Sequence, residues 1–135
     1  MTKTIELPMR KQIARPAADF MHINYDERVF RSVQNSETGE VSGETVFHYH
    51  QKDNVIWTEY WGGAIVFGNL IGKIADNETL EIRYQHLNKQ GELIMGRCFS
   101  TPETLSDGRI RLHEKWQWTS GDFSEGESIV EETKG

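Results

Sequence analysis

The chain has 135 residues and a net charge of −6, with 15 lysines and arginines against 21 aspartates and glutamates. That length suits one domain able to bury its own core, and the acidic balance excludes a nucleic-acid backbone as partner, because phosphate binding needs clustered cations. A single cysteine, Cys98, excludes an internal disulfide, and without a run of about 18 apolar residues or a charged-then-apolar leader the expectation is a cytoplasmic protein with no membrane partner.

Residues 1–21 read as an N-terminal extension. Lys3, Arg10, Lys11 and Arg15 outweigh Glu6 and Asp19 there, Pro8 and Pro16 oppose a long helix, and strand alternation is missing. A short helix, an edge strand through Ile5 and Leu7, and a loose tail all fit this stretch. Residues 22–133 read as one domain, in which short runs of β-branched and aromatic residues at period two alternate with turns rich in glycine, asparagine and aspartate.

The first strand is expected from about Ile23 to Val33, followed by the polar loop NSETGEVSG and by strands at Glu44–His50 and Val55–Trp61. Gly62 and Gly63 permit the positive φ angles of a tight reversal into Gly63–Ile74, where Gly68 and Gly72 are expected to mark a bulge or bend. Strands at Leu80–Leu87, Glu92–Ser100, Arg109–Trp118 and Phe123–Glu131 complete the series. About eight sequential strands in an open sheet would expose two edges, and closure removes them, so the fold expected is all-β, an up-and-down antiparallel barrel. A split sandwich is the alternative, and it would leave no central pocket. A barrel of this size is either filled by its side chains or holds one small ligand.

Candidate site residues are polar groups on otherwise apolar strand faces. In Arg109–Trp118, Glu114 shares a face with Ile110, Leu112, Trp116 and Trp118, where a carboxylate must be paired or sit at a wet mouth. Arg97, in alternation with Leu93, Met95 and Phe99, is its expected partner. Tyr84 and His86 follow Leu80 and Ile82 on one face, and Glu59 lies between Trp57 and Trp61 in NVIWTEYW. Trp57, Glu59, Tyr84, His86, Arg97, Glu114 and Trp116 are therefore the expected lining of a ligand cavity, with Glu59, Arg97 and Glu114 as an inward charge group. The same residues also fit a packed interior whose ion pair fixes register. His48 and His50 share a face in FHYH without an evident third ligand, so no metal is expected, and Cys98 reads as a small buried hydrophobe. Spacing alone assembles no catalytic constellation and implies no cofactor.

The segments FHYHQKDNVIWTEYWGGAIVFGNLIGKI, STPETLSDGRIRL and WQWTSGD resemble a group of small bacterial proteins without an assigned biochemical role, over about residues 23–132. The resemblance implies a lipocalin/streptavidin-like barrel, and since such proteins usually begin near the position of Met21, residues 1–20 inherit no role from it. Members often carry the name N-acetylglutamate synthase. Acetyl transfer of the usual type needs an R/Q-x-x-G-x-G/A loop at a helix N-terminus to grip a pyrophosphate, and this chain has none. The expected function is a non-enzymatic module for a small, partly apolar ligand; the alternative is an interaction or assembly protein with a packed interior. A homodimer, joined through an outer barrel face or residues 1–20, is expected in either case.

Overall fold

The computed structural model describes residues 22–134, and the expected extension over residues 1–21 lies outside them. Eight strands follow in chain order: β1 (Val29–Asn35), β2 (Val46–Lys52), β3 (Val55–Gly62), β4 (Ile65–Ile74), β5 (Leu80–Asn88), β6 (Leu93–Thr104), β7 (Ile110–Trp118) and β8 (Glu125–Glu132). Each pairs antiparallel with the next, and β8 pairs with β1, so the sheet closes into a barrel as expected. No helix occurs among the described residues.

One end of the barrel is sealed. The first strand, expected from about Ile23, begins at Val29, and residues 25–28 are held against β2. Tyr25 N–H donates to Gln51 Oε1 at 2.8 Å, and Glu27 N–H donates to the Tyr49 carbonyl at 2.8 Å. This places the Tyr25 ring against Phe30 and Tyr49, with centroids 6.5 and 5.8 Å away. Ile56, Leu80, Ile110, Leu112 and Val130 fill the space above, all buried. Burial of each such side chain stabilises the fold by about 1.5–3 kcal/mol, so this half is core and nothing else.

The other half is built differently, because glycines stand directly across from aromatic rings. Gly68 pairs with Tyr60 on one side and His86 on the other, and a Cβ added to it would lie 2.5 Å from the Tyr60 ring. Gly96 pairs with Tyr84, and a Cβ there would lie 2.3 Å from that ring. Gly68 thus marks a seat for rings, Gly72 stands against Ile56 and Ile82, and neither falls at a bulge, since the register shifts lie at Tyr60/Gly62 and Ile65/Phe67. At the tight reversal, Gly62 and Gly63 have φ of 113° and 65°, as the turn requires.

Candidate functional site

Four side chains proposed from the sequence meet inside this second half: Tyr84, His86, Glu114 and Trp116. Together with Phe47, Tyr60, Leu70, Ile82, Cys98 and Trp118 they surround a cavity of about 60 Å³. Glu114 projects inward from β7 between Ser100 of β6 and Ser128 of β8, its register partners. Ser100 Oγ donates to Glu114 Oε2 at 3.1 Å, and Ser128 Oγ donates to Oε1 at 3.0 Å. Burial pushes the Glu114 carboxyl up to about 7 despite both hydroxyls, which favour the anion. The acid therefore changes charge near neutral pH.

A second polar chain runs to the mouth. Tyr60 Oη lies 2.9 Å from His86 Nδ1, and His86 Nε2 lies 2.9 Å from Glu40 Oε1. In the neutral ring the proton sits on Nε2 and is donated to Glu40, while Nδ1 accepts from Tyr60. Burial lowers the His86 pKa against the pull of Glu40, which keeps the imidazole neutral. Asn88 Nδ2 donates to the other Glu40 oxygen at 2.9 Å. Loop 36–45 is thereby strapped across the barrel mouth by one carboxylate.

Asn35, at the end of β1, ties the same loop to the wall. Its Nδ2 donates to the Val41 carbonyl at 2.9 Å, and its Oδ1 accepts from Trp116 Nε1 at 3.2 Å. Trp116 and Trp118 stack with centroids 6.2 Å apart and form the flat side of the cavity. Sequence reasoning missed Asn35, Glu40 and Val41, all of which line the cavity. The available signal was length: 36–45 is the longest connection in the barrel, and long loops in compact domains are commonly functional.

Trp57, Glu59 and Arg97 are placed elsewhere, and the expected inward charge group does not form. Trp57 is 40% exposed on the outer face, stacked on His50, and His50 Nε2 lies 2.8 Å from Glu59 Oε1. Arg97 also points outward and donates to Gln117 Oε1 at 2.9 Å. The physical reason is volume. β3 turns Ile56, Thr58 and Tyr60 inward, and β6 turns Ile94, Gly96, Cys98 and Ser100 inward, since only small residues of β6 fit opposite Tyr84 and Trp116. Glu114 accordingly shares the interior with hydroxyls rather than with a guanidinium.

The remaining candidates are simpler. His50 also approaches Asp26 and Glu27, whose ligand atoms lie within 4.8 Å of one another and of the imidazole. Asp26 Oδ1 already accepts Gln51 N–H, and both acids are exposed. Cys98 lies inside the barrel 3.7 Å from Ser100 Oγ. Burial, reinforced by Glu114, holds its thiol well above the ordinary value, so no thiolate is present to act as a nucleophile.

A family model described as avidin-like protein matches residues 23–133, which includes every strand of the barrel. No curated protein matches the chain.

Proposed function

The chain belongs to the avidin-like protein family, and on that premise we propose that the open half of its barrel binds a small, partly apolar molecule without converting it. The observation that carries this reading is Glu114, an acid inside a cavity of aromatic walls, held by two serines and by no cation among the described residues. Aromatic walls with a few fixed polar groups are the usual composition of a small-molecule site. The space of about 60 Å³ is far below the roughly 300 Å³ at which whole ligands are enclosed. A ligand therefore inserts a head group and leaves its remainder at the mouth, beside Trp118 and loop 36–45.

A thermal-shift screen of chemically diverse small molecules tests this. A ligand at a hundred times its Kd adds about 2.7 kcal/mol, which is several degrees for a domain of this size. Binding compounds should lose most of that shift in Trp118→Ala.

A second reading, assembly with a copy of itself, draws on the outer face. Trp57 and Ile71 are cross-strand neighbours there, 40% and 59% exposed, and Phe67 and Val66 lie farther along β4. A hollow of about 290 Å³ beside Phe99, His113, Lys115 and Ile129 adds concave surface. A closed barrel does not need such apolar surface for its own fold. Failure of every compound in the screen, with light scattering at twice 15.6 kDa, would leave this reading in place of the first.

A further inference from the structure

We propose that the head group is a small organic cation, a primary ammonium or a group of like charge and size, seated on Glu114 and enclosed by Trp116, Trp118, Tyr84, Tyr60 and Phe47. The inference rests on the binding reading above and adds the chemical class of the ligand.

Charge accounting is the first argument. The described residues that line the cavity include two carboxylates, Glu114 and Glu40, and no lysine or arginine. An anionic head would face both acids. His86 does not offset them while its ring is neutral, the state that burial favours, in which Nε2–H donates to Glu40 and Nδ1 accepts from Tyr60. Each Glu114 oxygen accepts one serine hydroxyl, while a carboxylate has about four lone-pair directions, so acceptor capacity is left facing the cavity. A neutral head group would leave that charge uncompensated in a low-dielectric site; a cation removes the imbalance.

The walls supply the second argument. Ring faces attract cations, most strongly for tryptophan, and the attraction grows when water is excluded. Trp116 and Trp118 present stacked indoles, and Tyr60 lies against Phe47 at a centroid distance of 5.0 Å. Glu40 at the mouth has the same sign as Glu114 and draws cations inward.

The groups that face Glu114 are Ser100 and Cys98 from β6, Ser128 from β8, and Tyr49, Tyr60 and Tyr84 across the barrel. Burial raises the pKa of the thiol and of all three phenols, so they stay neutral across pH 6–8. Of Glu114 and the groups that face it, only Glu114 then changes charge in this window, while burial lowers the His86 pKa at the mouth.

An NMR titration of the full chain with butylammonium, butanol and butyrate, read at the Trp116 and Trp118 indole N–H signals, tests the inference. Butylammonium should bind at least tenfold more tightly than butanol at pH 8, and butyrate should leave both signals in place. Its affinity should fall about tenfold from pH 8 to pH 6, as Glu114 takes up a proton while the amine keeps its own. Glu114→Gln should lose at least tenfold for butylammonium, abolish the pH dependence and leave butanol unaffected. Equal or tighter binding of butanol or butyrate by the wild-type chain would overturn the inference, as would silence from all three probes. In those cases a screening hit with a neutral or anionic head would still uphold the binding reading.

Discussion

Replacing Glu114 by glutamine should stabilise the barrel by about 3 kcal/mol at pH 8. In the folded chain the carboxyl titrates at about 7, against 4.5 for an unperturbed glutamate. The unfolded chain therefore releases this proton first as pH rises. The stability contributed by the neutral acid is complete below pH 4.5 and is lost as pH climbs through 7. Glutamine imitates the neutral acid, and the rotatable hydroxyls of Ser100 and Ser128 can serve an amide as well as a carboxyl. The variant and wild type should melt together near pH 4 and separate by about 10 °C at pH 8, in a scan of melting temperature against pH. A variant that melts lower at pH 8 would mean that a cation compensates the carboxylate inside the folded barrel. An acid at a position where a neutral isostere is more stable fits a site that serves binding rather than packing.

Gly68→Ala should have a comparable effect of opposite sign. The added methyl would meet the Tyr60 ring at 2.5 Å and the His86 Cβ at 2.6 Å, both on buried side chains fixed by their mutual hydrogen bond. Overpacking of this kind costs about 1–3 kcal/mol, more than the few tenths to 1 kcal/mol that alanine gains by restricting the unfolded chain. Gly43→Ala is the control, because its nearest neighbour would be the Ser32 carbonyl at an ordinary 3.5 Å. Urea unfolding should give a lower midpoint for Gly68→Ala alone. A double-mutant cycle with Tyr60→Leu should return part of the loss, since the smaller side chain vacates the space that the methyl needs. Equal midpoints for the two glycine variants would show that the Tyr60–His86 pair yields easily.

Strand existence and barrel closure were legible in the sequence, because period-two patterning and turn residues act locally. The faces of β5 and β7 were legible for the same reason: Leu80, Ile82 and His86, or Ile110, Leu112 and Trp116, alternate with residues that belong in water. β3 and β6 carry apolar side chains on both faces. There the sizes of Trp57, Trp61, Leu93 and Phe99 pointed to the wrong side, and the barrel puts the smaller set inward. What decides between the faces is the match of Gly68 to Tyr60 and of Gly96 to Tyr84, a property of register between strands that no single segment contains. Glu40 was illegible on similar grounds. Its partner His86 lies 46 residues away, and nothing in NSETGEVSG distinguishes a strap from an ordinary polar loop except length.

The tryptophans give the most direct test of the central claim, since two lie at the cavity and two on the outer face. The measurement is a ¹⁵N–¹H spectrum of the four indole groups, assigned by substitution, with and without a compound that raises the melting temperature. If the barrel interior is the binding site, the signals of Trp116 and Trp118 move on addition and those of Trp57 and Trp61 stay. Movement confined to Trp57 and Trp61, with Trp116 and Trp118 unchanged at saturation, would contradict it and place recognition on the outside of the barrel.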